Sequence, residues 1–379
     1  MVAHRRGRRT TAGHDPYAEA VPARSSPFPR RRPTRWIVGA LVALSCSLLA
    51  VPDAGADAAR PTNFESVIDS VRPDLDTIEV QIVGGDSFVQ VTAEPGTSVL
   101  IPGYDGEPYL RIGLDGSVDR NRRSPATYIN EARFGATGPL PEVADSRASP
   151  DWERVDDGGT VAWHDHRVHW MLNNAPDTSD GVVQPWSIPM QVDDVEVEIS
   201  GRLLLREDQP PWPALVIVAV AALVGWTARR EPARLALLGG ASVVALGSSV
   251  TWFLGNPPGA DPTVLPMVLP ALALAACLVA RLTRPLVRHL GLPLAAVALL
   301  VGWFVQRVGV VWMPTLPTPL PDVVERLITS AVAGVALGVA IAILQRPYPP
   351  PDQHLVERSD AATPTDQDPS TRRSSGFQP

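Results

Sequence analysis

The chain has 379 residues, 45% apolar and 19% charged, and its 40 acidic against 33 basic side chains give a formal net charge of -7. The mild net charge decides little, but the polar region that is its acidic part argues against a nucleic-acid surface there, and the two cysteines, Cys46 and Cys277, both inside apolar runs, leave no disulfide framework to hold a polar domain together. The average conceals two unlike halves, a polar region followed by a ladder of apolar segments.

Residues 1–35 are polar and basic, and disorder is expected there. Arg30, Arg31, Arg32 and Arg35 lead into the apolar run Trp36 to Val51, so 36–58 reads as a signal peptide or a first transmembrane helix. Ala54-Gly55-Ala56 or Ala56-Asp57-Ala58 supplies a small-residue cleavage pattern, and with or without cleavage the segment that follows is exported. Cys46 lacks the leucine three positions upstream that a lipoprotein signal carries, and reads as a cysteine in an apolar helix.

Residues 61–209 read as an exported β domain. Ile78 to Val83, Phe88 to Thr92 and Val195 to Ile199 alternate apolar and polar with the period of two that a sheet with one wet face requires. Gly84-Gly85 separates the first two runs as a hairpin turn, while Asp105-Gly106 and Asp115-Gly116 bracket Tyr109 to Ile112. Several short strands punctuated by turn pairs predict a sandwich or Greek-key barrel. Asn121 to Asp157 is predicted to be a long ordered connection, pinned by Tyr128, Phe134 and Trp152.

The densest chemistry is Trp163-His164-Asp165-His166-Arg167-Val168-His169-Trp170-Met171. On a strand, His164 and His166 would share one face and Asp165, Arg167 and His169 the other, so two histidines could share a zinc or copper ion and Met171, Met190 or carboxylates would complete it. The competing reading is structural: Asp165 pairs with Arg167, the histidines bond to loop carbonyls, and Trp163, Trp170 and Met171 fill the core. A hydrolase assembled from Ser124, His164 and Asp165 lacks a Gly-x-Ser-x-Gly elbow and sets the orienting carboxylate beside its histidine in sequence, which such triads do not do. Arg111, Arg120, Arg122 and Arg123 could offer guanidinium forks to a carboxylate or phosphate, or form a solvated basic loop.

Gly103 to Arg111 (GYDGEPYLR), Asn121 to Asn130 (NRRSPATYIN) and Trp163 to Met171 resemble blocks of a family of actinobacterial integral membrane proteins of uncharacterised activity. The resemblance implies the architecture, an exported domain on a ladder of spans, and implies no chemistry.

Five apolar segments follow: Trp212 to Ala228, Leu235 to Leu254, Thr263 to Ala280, Leu290 to Trp312 and Leu327 to Leu344. Each is close to the roughly 20 residues a helix needs to cross the hydrocarbon core. Arg229, Arg230 and Arg234 follow the first, Arg281, Arg284 and Arg288 the third, and Arg346 the fifth, whereas Gly255 to Pro262 carries only Asp261 and Pro314 to Pro321 no charge. Basic loops stay cytoplasmic, which places 61–209 outside and the C-terminus inside. Arg307 is the ionisable residue inside a span, able to snorkel outward or to pair with Glu325. Ser330, Gly334, Gly338 and Ala342 form a small-residue stripe suited to close helix packing, within the bundle or between copies as a homo-oligomer. Residues 347–379 are expected to be a disordered cytoplasmic tail.

The expected protein is an all-β exported domain fused to an α-helical transmembrane bundle. It is expected to contact the lipid bilayer and to bind an envelope component or a membrane partner protein through Arg111, Arg122, Arg123, Trp163, Asp165 and Arg167. Metal handling by His164 and His166 is the alternative, and no catalytic constellation is found.

Overall fold

Alternating runs in the polar half pair into two antiparallel sheets. The computed structural model describes residues 58–345 apart from 132, 134, 136–137, 173–175 and 283–284. The signal segment with Cys46, Phe134 and the tail 347–379 lie outside the described residues. The strands are β1 Phe64–Arg72, β2 Ile78–Val83, β3 Phe88–Ala93, β4 Val99–Pro102, β5 Pro108–Ile112, β6 Val118–Asn121, β7 Trp152–Asp156, β8 Thr160–Trp163, β9 Val182–Val192 and β10 Val195–Leu205. One sheet runs β1-β10-β9-β4-β5-β6-β7 and the other β2-β3-β8. Val89 and Val91 of β3 and Val161 and Trp163 of β8 meet Ile101, Ile112, Ile188, Ile199 and Leu203 in one core between them, which makes the domain a β-sandwich.

The predicted turns are where the sequence put them. Gly84 and Gly85, both at positive φ, join β2 to β3, and Val83 pairs with Phe88. Around β5 the same five-residue turn occurs twice: Gly103 N–H donates to Glu107 O at 2.7 Å, and Gly113 N–H to Ser117 O at 2.8 Å. In β9 and β10 every second residue is inward, and Trp186 lies over Gly201, where an added Cβ would meet the indole at 2.2 Å.

Two predicted features differ. Asn121 to Asp157 is not a connection throughout: Ser124 caps a one-turn helix, α1 Pro125–Ile129, and Trp152–Asp156 is an edge strand. Its residues alternate in no apolar pattern because an edge strand with both faces wet has no core to bury against. The other difference is the histidine motif, whose strand stops at Trp163.

The apolar half is a helical bundle of α2 Trp212–Thr227, α3 Glu231–Leu254, α4 Leu265–Leu282, α5 Pro285–Val297 and α6 Asp322–Leu344. α5 continues as a π-helical stretch, Ala298–Phe304, and a 3-10 stretch, Val305–Val311. Among the described residues four helices, Glu231–Leu254, Leu265–Leu282, Leu290–Val311 and Asp322–Leu344, are long and apolar enough to cross a bilayer, so this is a membrane protein. The first predicted span is shorter than expected, 16 residues, and lies along α6. Cβ atoms added at Gly334 and Gly338 would meet Val218 O at 2.5 Å and Ala222 O at 2.0 Å, and one at Gly225 would meet Val335 O at 2.7 Å. The small-residue stripe, with Ser330 and Ala342 also buried, therefore packs against α2 within the chain, and the expected homo-oligomer finds no free face there.

Candidate functional site

The His164 to Met171 segment is a loop riveted to the base of the sandwich. His164 Nδ1 lies 2.6 Å from Ser87 O, and its ring stacks on Phe88 at 4.2 Å. His169 is 1% exposed, and its Nδ1 faces Asp86 Oδ2 at 3.3 Å while Arg133 holds the other Asp86 oxygen. Asp165 accepts from Trp163 Nε1 at 2.9 Å and from Arg167 Nε at 2.8 Å and Nη2 at 2.6 Å. Ser66 Oγ donates to Val168 O and Gln184 Nε2 to the carbonyls of Arg167 and His169, so the loop backbone is tied down along its length.

This arrangement corrects the metal geometry read from a strand. His164 neighbours His169, with ring centroids 5.8 Å apart, whereas His166 turns outward to Tyr104, whose hydroxyl accepts its backbone N–H at 2.9 Å. Among the described residues no three His, Cys, Asp or Glu side chains form a group that could hold a metal ion. Zinc and copper need at least that many. Asp165 and Arg167 are paired with each other and Trp163 is in the core, as the structural reading had it. The hydrolase reading has no geometry either, since Ser124 Oγ donates to Glu107 and His164 Nδ1 to the Ser87 carbonyl.

The arginine block is likewise mostly occupied. Arg122 donates through Nε and Nη2 to Asp151 at 3.1 and 2.7 Å, Arg120 pairs with Glu153 at 3.3 Å, and Arg123 is exposed. Arg111 belongs to something larger. Its Nε donates to Asp119 Oδ2 at 2.9 Å, Arg154 Nε donates to Asp119 Oδ1 at 2.7 Å, and the Arg111 guanidinium lies 4.4 Å over the Trp152 ring. Burial alone would raise the Asp119 carboxyl, but hydrogen bonds from Arg154 and Arg111 outweigh it and hold the group below its ordinary range.

This Arg-Asp-Arg clamp lines an open cleft of about 540 Å³ on the outer face of the seven-stranded sheet, together with Leu100, Gln191 and Asp193. The cleft is at the end of the sheet away from the helices. Asp193 lies in the β9–β10 turn, and β10 then runs 11 residues, or about 35 Å, before the chain turns toward Trp212. Asp119, Trp152, Arg154 and Gln191 were missed in the sequence because they are scattered over three strands. The available signal was charge alternating with apolar residues in Arg111-Ile112 and Val118-Asp119, which sets these groups on the wet face.

A second polar centre is inside the bundle. Arg307 and Glu325, 2% and 0% exposed, pair at 2.8 Å, as one of the sequence readings anticipated. Ser248 Oγ donates to Glu325 at 2.7 Å, and the guanidinium lies 4.0 and 5.0 Å from the ring centroids of Trp252 and Trp303. The pair sits beside the π and 3-10 stretches of the Leu290–Val311 span, where the irregular helix places Arg307 toward α3 and α6.

No family model, no curated protein and no solved structure matches this chain.

Proposed function

We propose that this membrane protein carries its β-sandwich on the outer face of the membrane as a recognition module for an envelope component, with the Arg111-Asp119-Arg154 cleft as its contact surface. The observation that carries the reading is the clamp itself. Two guanidiniums are pre-positioned by one shared carboxylate at the end of the domain farthest from the helices, where no other part of the described chain covers them. Side chains locked before binding lose little entropy on contact, which is what a recognition surface needs. The Trp163 to Met171 block, at the opposite end with Trp163, His164, Asp165, Val168 and His169 buried, has a structural part and leaves the contact surface.

Orientation rests on the loops. Arg229, Arg230 and Arg234 lie at one end of the bundle, and the uncharged Pro314 to Pro321 loop at the other, beside the sandwich. α2 and α6 run in parallel, with Val218 beside Gly334 and Trp226 Nε1 donating to Gln345 Oε1 at 2.6 Å, which supports α2 as a short crossing helix that enters where the sandwich ends.

A photo-cross-linking side chain at Gln191, in the cleft, tests the reading in intact cells against one at Gln81, exposed on β2 of the other sheet. Adducts from position 191 and not from position 81 are expected. Adducts from position 81 alone, or from neither, would overturn the assignment of the surface.

A further inference from the structure

The cleft has a chemistry of its own. Its charged lining is Arg111 and Arg154 against Asp119 and Asp193, two cations and two carboxylates, so it sets up no net field for a phosphate or a polyanion. Asp193 gives one oxygen to the fold, its Oδ1 accepting from Ser98 N–H at 2.9 Å and Ser98 Oγ at 3.0 Å. The remaining capacity is on the guanidinium donors, the second Asp193 oxygen and a neutral amide. Among the described residues Arg111 reaches its carboxylate through Nε alone, Arg154 uses Nε and Nη1, and the exposed Gln191 amide has no hydrogen-bond partner. These planar groups stand over an apolar floor of Leu100, Pro108 and Leu114, the last 63% exposed.

Topology removes the alternatives one by one. An extended peptide added to a sheet needs an open edge; β4, β5 and β6 are each paired on both sides beneath the cleft, and a peptide added to the open edge of β7 would lie in the plane of the sheet beside the cleft and not across it. A small apolar ligand needs an enclosed cavity that buries most of its surface, and this one is an open trough. What remains is a ligand that is uncharged, presents many hydroxyls to fixed forks and amides, carries C–H faces for an apolar floor, and can lie side-on across an open surface.

We infer that the cleft binds a neutral, hydroxyl-rich glycan chain. The inference rests on the recognition reading above and deepens it. The terminal nitrogens of Arg111 and Arg154 donate to adjacent hydroxyls, the Gln191 amide both donates and accepts, and Leu114 packs against a sugar face. Asp119 is a positioning residue, since both of its oxygens are taken by the two guanidiniums.

The test uses the full chain in nanodiscs on an array of neutral and acidic oligosaccharides, with Arg111→Ala and Gln191→Ala alongside. The exposed Gln191 amide has no hydrogen-bond partner among the described residues, so Gln191→Ala is expected to leave the melting temperature unchanged, whereas Arg111→Ala, which takes one cation from Asp119, is expected to lower it and is assayed below its own midpoint. Neutral oligosaccharides should be retained by the parent chain, and each variant should lower retention by about tenfold, the loss expected for a directional contact. Retention of acidic glycans alone, or no retention, or retention by both variants equal to that of the parent chain, overturns the inference. The position-191 cross-link separates the two levels. A silent array with protein adducts at 191 leaves the recognition module standing without its glycan, and a silent array with no adducts removes both.

Discussion

The Arg307–Glu325 pair offers the sharpest test of how the bundle is held together. Both side chains are essentially inaccessible, the salt bridge is 2.8 Å, and Ser248 Oγ touches both partners, at 2.9 Å from Arg307 Nη1 and 2.7 Å from Glu325 Oε1. Removing one partner leaves an uncompensated charge in a low-dielectric interior, at about 3–5 kcal/mol. Deleting a neutral interhelical hydrogen bond in a membrane costs on average about 0.6 kcal/mol. Glu325→Ala and Arg307→Met should therefore each lower bundle stability several times more than Ser248→Ala. Arg307→Met combined with Glu325→Leu should recover most of the loss, because no charge is then left buried and the apolar replacements fill the volume. Trp252 and Trp303, flanking the guanidinium, report unfolding in detergent by fluorescence. The reasoning fails if the two single losses add in the double variant to within about 0.5 kcal/mol, as they would for sites that do not interact.

Other consequences are smaller in scope. Gly338→Leu should cost at least about 3 kcal/mol, since a Cβ there would meet Ala222 O at 2.0 Å, while Gly240→Leu, with nothing within 4 Å, should be nearly neutral in the same melt. His169→Ala should cost about 1–3 kcal/mol by stripping a buried partner from Asp86, His166→Ala should be mild, and neither difference should respond to added zinc or copper. Asp119, with its folded-state pKa held low, stabilises the folded state above the ordinary carboxylate pKa of about 3.9, and this is lost as pH falls through the lowered value. The gap between parent and Asp119→Asn melting curves should accordingly be full near neutrality and close in acid. Finally, an impermeant thiol reagent applied to whole cells should label Asp261→Cys and spare Arg229→Cys, both at exposed positions, and the opposite pattern would invert the proposed orientation.

The elements legible in the sequence are those with a two-state local cause. Ile78 to Val83 and Val195 to Ile199 alternate because one face is buried, and Gly84-Gly85 permits the positive φ of a tight turn, so strand, turn and register follow from composition alone. Trp152–Asp156 has both faces wet and His164 to His169 is a loop held by partners far away in the chain, from Ser66 to Gln184, and no local pattern encodes either. The site suffered for the same reason. Arg111 could be named as a candidate by type, but its carboxylate partner Asp119, its stacking partner Trp152 and the second arginine, Arg154, are brought together by the β5-β6-β7 pairing.

The junction between sandwich and bundle bears on what the cleft can reach. Thr62 and Thr315 exchange both backbone hydrogen bonds at 3.0 Å, and Gln209 N–H donates to Trp312 O at 2.7 Å, so the sandwich is pinned to the loop after Val311 at two places. That loop is in turn held by Arg326, whose Nη1 and Nη2 donate to Val310 O at 2.5 Å and Met313 O at 2.6 Å. Glu325 and Arg326, adjacent on α6, thus divide the work: one binds Arg307 inside the bundle and the other fixes the loop on which the sandwich stands. Pro210-Pro211 leads into α2 with little backbone freedom of its own. A module on a loose tether would sweep its binding face through many heights. Under the proposed function, this one would hold its cleft at the far end of an 11-residue strand pair, about 35 Å from the helix ends, a set distance that suits a ligand layered over the membrane rather than one dissolved in the bilayer.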